Sequence, residues 1–236
     1  MPDRSQFDVI IAGGGFVGTT LALALASLGP KGFRVALIDA EPPQKDKIDA
    51  RASALSAASK GLLSVLGIWP ELAGDAQPIT SIDITDSSLD APLRPHFLGF
   101  DDDLRPGESG AYMIENAGLA RALSAALACE PSIALFAPDS VTGFSATPFA
   151  IEVERVKGGA ASAKLLIAAD GKRSRLREEA QIKCVSWSYP QVGIVTTVKH
   201  EKPHGGKAVQ HFLPGGPFAI LPLKGNRSSI VWTEDK

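Results

Sequence analysis

Gly13, Gly15 and Gly18 stand in the spacing G-x-G-x-x-G, and each place has its own demand for a residue without a side chain. Glycine at 13 permits a tight turn, and glycine at 15 lets a pyrophosphate approach the backbone. Glycine at 18 lets a following helix pack closely on a sheet. The free N–H groups at the start of that helix then face the phosphates. Asp39 follows Gly18 by 21 residues, close to the spacing of about 20 at which an acid holds a ribose 2′-hydroxyl. A carboxylate there disfavours a 2′-phosphate, so the expected ligand carries an unphosphorylated adenosine ribose, as FAD and NAD do. Phe16, Val17 and Ala40 adjoin these positions and complete the expected nucleotide-binding set.

A second constellation, Asp170-Gly171-Lys172-Arg173-Ser174-Arg175-Leu176-Arg177, fits D-G-x-x-S-x-x-R. Its carboxylate can hold a sugar hydroxyl, Gly171 permits close backbone approach, and Ser174 can cap a helix. The basic side chains add positive potential near phosphates. Arg51 offers a planar guanidinium of the kind that suits a phosphate. The plainer alternatives are a glycine turn in an ordinary α/β sheet, a capped helix with a solvated basic face, and a solvated loop arginine.

The flanking elements favour the dinucleotide reading of the glycine motif. Phe7–Ala12 is an apolar, β-branched run, as in a strand buried on both faces, and it enters the glycine turn directly. An Ala/Leu-rich helix over 19–28 and a second apolar strand over 33–38, ending at Asp39, complete a dinucleotide-binding unit. After a polar connection over 41–49, Arg51–Ser56 leads into a helix ending near Leu66. Ile79–Thr85 alternates as a half-buried strand, and the Pro-, Asp- and Gly-rich stretch 87–110 signals an excursion into a second sheet. The chain returns at Tyr112–Glu115 and enters a helix capped by Asn116, with Leu119, Ala122, Leu123, Ala126 and Leu127 at helical spacing. Strands follow over 133–136, 140–145, 149–156 and 164–169, the last ending in the Asp170 motif. From Val192 the pattern is antiparallel β, with strands at 192–199, 207–213, 218–223 and 228–233.

Bulk properties exclude several classes. Hydrophobic residues make up 44% and charged residues 21%, a globular balance, and a net charge of −2 gives no field for nucleic acid. The apolar stretch 21–28 is far too short to span a bilayer. The N-terminus carries no secretory signal pattern. Cys129 and Cys184 form no metal-type spacing, and neither do His96, His200, His204 and His211, so no metal site is expected and the thiols are expected to be reduced, in a cytoplasmic protein.

Taken together, the chain resembles the flavoprotein monooxygenases of the p-hydroxybenzoate hydroxylase superfamily, and within it the ubiquinone-biosynthesis hydroxylases, which act on polyprenylated phenols. Four stretches carry the resemblance: Ile11–Gly18, Asp49–Ser56, Asp170–Arg177, and His204–Leu223, the last being the most specific. It implies an α/β fold: a Rossmann-like FAD-binding domain over 1–78 and 109–184, interrupted by a mostly antiparallel β-sheet substrate domain over 79–108 and 185–236. By the resemblance, Gly13, Gly15 and Gly18 bind the FAD pyrophosphate and Asp39 the adenosine ribose. Arg51 contacts the cofactor near its phosphates and ribityl chain, and Asp170 with Gly171 serves FAD and the pyridine nucleotide. Arg121, on the helix after Asn116, is a further cofactor candidate.

The implied reaction is reduction of FAD by NAD(P)H, capture of O2 as a flavin hydroperoxide, and transfer of oxygen to the aromatic ring of a prenylated phenol. No catalytic side chain is singled out; His204 and His211 are candidates for touching substrate or flavin. The resemblance also implies peripheral contact with the inner face of a membrane or with other proteins of quinone biosynthesis. Relatives of this family are longer and carry a third motif of the type G-D-A-A-H, which nothing after Asp170 matches, so an N-terminal fragment is expected. Other readings are a non-catalytic flavin-binding or scaffold subunit, a related flavoprotein epoxidase or reductase, and a nicotinamide-only Rossmann enzyme.

Overall fold

A computed structural model describes residues 5–42, 49–86, 90–91, 95–101 and 109–236. Most of the expected 41–49 connection and of the 87–110 excursion lies outside the described residues. The chain opens with β1 (Ser5–Gln6), β2 (Val9–Ala12), α1 (Phe16–Leu28) and β3 (Val35–Ile38). It continues through β4 (Ala52–Ser56), α2 (Ala57–Val65), α3 (Trp69–Ala73), β5 (Gln77–Ile79), β6 (Ser81–Asp86), β7 (His96–Asp101), β8 (Ala111–Glu115) and α4 (Asn116–Ala128). Next come β9 (Ile133–Phe136), β10 (Val141–Ala146), β11 (Ile151–Arg155), β12 (Ala160–Ala163), β13 (Leu165–Ala168) and α5 (Arg175–Glu179). The last four strands are β14 (Gln191–Lys199), β15 (Lys207–Leu213), β16 (Gly216–Leu223) and β17 (Arg227–Asp235).

Two compact units result: Met1–Asp46 with Ala120–Ser186, and Lys47–Leu119 with Trp187–Lys236. The first holds a parallel sheet of order β13-β2-β3-β9 and a second sheet of order β1-β12-β11-β10. Every residue of β2 and β3 is buried, and strand alternation explains why. Ile10, Ala12, Ala36 and Ile38 pack with Val141, Val153, Ala161 and Ala163 of the second sheet. Ile11, Val35 and Leu37 point to the opposite face, where α1 buries Ala22 and Leu23. Each buried Ile, Val or Leu among them contributes about 1.5–3 kcal/mol by leaving water, so the two central strands anchor the turn between them. The strand that leads into the Asp170 motif is an edge strand: β13 pairs only with β2 among the described strands, and Leu165 is 49% exposed.

The second unit is built on a six-stranded sheet of order β14-β17-β16-β15-β6-β7, antiparallel except for the parallel pair β15 and β6. A three-stranded sheet β4-β8-β5 joins it through Ile79, Met113, Ala208 and Leu223. This contact gathers 47–78 and 109–119 with the second sheet, whereas the expected division groups 1–78 with 109–184. Ala52–Ser56, expected to lead into a helix, is a strand because it pairs antiparallel with β8, Ser53 opposite Ile114. The helix starts only after Ser56, whose hydroxyl accepts from the Ser59 N–H at 3.2 Å.

Candidate functional site

The turn from β2 into α1 closes on a distant part of the sequence. Gly13 has φ +110°, and a Cβ there would strike the carbonyl of Ala169, so only glycine fits. The Gly13 N–H donates to the Ile38 carbonyl at 2.8 Å, and the Ala169 N–H donates to the Ala12 carbonyl at 2.7 Å. A Cβ at Gly14 would strike the Asp39 carboxylate, and one at Gly18 the Gly13 carbonyl. Gly15 differs. It has ordinary φ and ψ of −68° and −176°, and nothing lies within 4 Å of where its Cβ would be. It begins α1 with no side-chain cap and no acid in the first turn, so the first N–H groups of the helix keep their attraction for an anion.

Gly13, Gly14 and Gly15 line a cavity of about 440 Å³ within the first unit, together with Asp39, Ala40, Asp139, Ser140, Val141, Asp170, Gly171, Arg175 and Leu176. Of the expected nucleotide-binding residues, Gly13, Gly15, Asp39, Ala40, Asp170 and Gly171 are brought together there. Gly18 is buried behind the turn, while Phe16 and Val17 are exposed on the first turn of α1 and do not line the cavity. Arg121 is exposed on α4 and does not line it either. Arg51 belongs to the other unit.

The Asp170 carboxylate already has work: its Oδ2 accepts from the N–H groups of Arg175 at 3.0 Å and Leu176 at 3.4 Å. Ser174 caps the same helix, accepting from the Arg177 N–H at 3.0 Å. The expected cloud of positive charge is partly spent on backbone. Arg175 donates to the carbonyls of Val141 and Thr142 at 2.8 and 2.9 Å, and Arg177 to that of Lys172 at 3.3 Å.

Asp139 was not singled out by the sequence, since its place depends on β9 lying beside β3. Its N–H donates to the Asp39 carbonyl at 2.7 Å, and its side chain, 3% exposed, pairs with Arg155 at 2.9 Å. Burial pushes this carboxyl up, but the Lys157 and Ser140 N–H groups and the Arg155 guanidinium outweigh it and hold the group below the usual carboxylate range. The only sequence signal was a polar residue placed just before a strand.

The two candidate histidines of the second unit have structural partners. His204 Nδ1 accepts from the Gly206 N–H at 2.9 Å, which leaves Nε2 as the donor to the carbonyls of Leu223 and Gly225 at 2.8 and 2.9 Å. His211 is 6% exposed and bonds the Thr85 hydroxyl through Nδ1 at 2.5 Å; its Nε2 has no partner among the described residues. Among the described residues no cluster of His, Cys, Asp and Glu could hold a metal ion. No described helix is long and apolar enough to cross a membrane.

The FAD binding domain family matches residues 6–235. The ubiquinone hydroxylase UbiL of Rhodospirillum rubrum is 43% identical over 230 residues, covering 96% of this chain and 52% of that one. The 3-demethoxyubiquinol 3-hydroxylase of Escherichia coli is 36% identical over 236 residues, covering 95% of this chain and 56% of that one. The chain thus spans about half the length of the curated relatives it matches. In fold it is similar to PqsL of Pseudomonas aeruginosa, solved in complex with 2-aminobenzoylacetate, with a TM-score of 0.82 at 17% identity over 98% of this chain and 61% of that one.

Proposed function

The chain belongs to the FAD binding domain family, and on that premise we propose that the cavity of the first unit takes the adenosine diphosphate half of FAD. The contrast among the glycines carries this reading. Gly13, Gly14 and Gly18 are each demanded by protein atoms, whereas Gly15 faces open space in the cavity lining. A backbone kept bare with no internal reason suits a ligand that needs close approach. The pyrophosphate then lies against Gly15 and the N–H groups of the first turn of α1, beginning with those of Phe16, Val17 and Gly18. Asp39, with Ala40 beside it, receives the ribose hydroxyls. Asp170 holds the rim of the cavity by fixing the start of α5, with Gly171 leaving room beside it. Arg51 and Arg121 are the remaining proposed cofactor contacts.

The proposed activity is hydroxylation of an electron-rich aromatic ring, a phenol carrying a prenyl tail, with NAD(P)H as reductant and O2 as oxidant. The names of the relatives support it. When bound, FAD supplies the redox chemistry; the residues of this chain bind it, orient it and keep its phosphates dry. A prenylated substrate places the protein in contact with a membrane surface. The test begins with the visible absorption spectrum of the purified chain after gel filtration with added FAD. Retained flavin bands are expected, followed by NADH-dependent oxygen consumption when a prenylated phenol is supplied. A protein that stays colourless at a large excess of FAD would refute the binding reading, and one that binds FAD but consumes no oxygen would reduce it to a flavin-binding scaffold.

A further inference from the structure

The six-stranded sheet of the second unit ends in β14, which pairs with β17 and with no other described strand. The other side of such a strand presents a row of backbone N–H and C=O groups, a template for pairing with another chain. Edges are ordinarily blunted by a charge, a proline or a bulge within the strand. β14 has none of these over 191–198, and its ladder with β17 runs unbroken from Gln191 opposite Asp235 to Lys199 opposite Arg227. Val192, Ile194, Val195 and Val198 are between 39% and 47% exposed, so apolar side chains stand bare on both faces of the strand.

Two features select what fits there. The first is the side-chain pattern. An antiparallel copy centred on Val195 uses all nine residues of the strand. It sets Val192 against Val198, Ile194 against Thr196 and Val195 against itself, at about 4.5–5.5 Å. A two-fold axis perpendicular to the sheet keeps the faces continuous. Val231, which lies opposite Val195 on β17, then extends the central pair into an unbroken row of valines. The second feature is charge. β14 and β17 together have an acidic end, Glu234 and Asp235, and a basic end, Arg227 and Lys199. The same axis sets each Lys199 beside the other copy's Gln191, in the row of Asp235. Two strand spacings, about 10 Å, then separate the backbones of lysine and aspartate, which the long lysine side chain spans.

We propose that β14 is a dimerisation edge, on which a second copy of this chain adds its own β14 antiparallel and joins the two sheets into one. A nine-residue strand is about 30 Å long, an interface at the small end of the range, so micromolar association is expected. The pairing is independent of what fills the cavity of the first unit.

Sedimentation equilibrium of the full chain over a wide range of concentration tests this. Expected is a concentration-dependent species of twice the 24.7 kDa chain mass, and none larger. Val195→Lys sets two like charges against each other at the axis and should leave a monomer. Val195→Thr, which keeps a β-branched side chain, should keep the dimer; Tm and far-UV circular dichroism show that each variant is folded. The charged ends give a sharper test. Lys199→Glu and Asp235→Lys should each weaken the dimer about fivefold, and the double variant should recover it. Within one copy these residues are about 27 Å apart along the ladder, too far to pair, so recovery reports contact between copies. A chain that stays monomeric overturns the proposal and leaves the edge to a partner of another kind. A dimer that survives Val195→Lys, charge variants without mutual rescue, or open-ended association overturns it as well.

Discussion

Gly15→Ala separates what the fold needs from what the ligand needs. The φ of −68° at Gly15 suits any L-residue, and a built Cβ meets nothing within 4 Å. Removing a glycine from the unfolded chain stabilises by about 0.4–1 kcal/mol. Alanine is a poorer N-cap than glycine by a similar amount. The two nearly cancel, so stability should change by less than about 1 kcal/mol, which is a Tm shift within about 4 °C for a chain of this size. FAD should respond very differently. A methyl group in the cradle pushes the pyrophosphate off the first N–H groups of α1, and losing two charge-assisted hydrogen bonds at about 1.5 kcal/mol each weakens binding by roughly 100-fold. Gly13→Ala is the counter-case: φ +110° and a collision with the Ala169 backbone should leave a protein that does not fold. Differential scanning fluorimetry gives the Tm and calorimetric titration the FAD affinity. Gly15→Ala that folds normally and binds FAD within threefold of wild type would defeat the reasoning.

Other perturbations probe neighbouring parts. Asp39→Ala should weaken FAD about tenfold by removing the ribose hydrogen bonds, with no effect on FMN, which lacks the adenosine; fluorescence titration with both flavins checks this. Asp139→Ala leaves Arg155 and two N–H donors without their partner and should cost about 3–5 kcal/mol in urea unfolding. Because the folded pKa of Asp139 is depressed, its contribution is fully present above the unfolded value of about 3.9 and fades as pH falls through the lower folded value. Asp139→Asn should therefore flatten the stability curve in that acid window. His204→Ala should lower stability by about 1–2 kcal/mol through three lost hydrogen bonds, and FAD titration should show no change in affinity.

The glycine spacing, Asp39 and the continuous apolar strands were legible because each signal is local: a strand, a turn and a helix within forty residues. What the sequence hid depended on partners far away. Ala52–Ser56 forms a strand only because Tyr112–Ile114 lies beside it, and Asp139 joins the cavity only because β9 pairs with β3. Leu165–Ala168 is as apolar as the central strands, yet it sits at the sheet edge, since composition does not report how many neighbours a strand has. Arg175 and Arg177 looked like phosphate ligands by charge, but the carbonyls of Val141, Thr142 and Lys172 draw on them. His204 could be weighed only once Leu223 and Gly225 were known to converge on it.

The closure of Gly13 on Ala169 also sets a clock for biosynthesis. The two residues are 156 positions apart, and ribosomes add about 5–20 residues per second, so the strand and turn wait roughly 8–30 s for the segment that seals them. Until then β2 has no β13 beside it, and the whole stretch Lys47–Leu119 must emerge first. Ending so long a loop carries an entropic cost met only when many contacts form together. A nucleotide arriving early would find the glycines but not the wall behind them. On the proposed reading, the cofactor's full cavity exists only once residues 139–141 and 169–176 have joined the glycine turn.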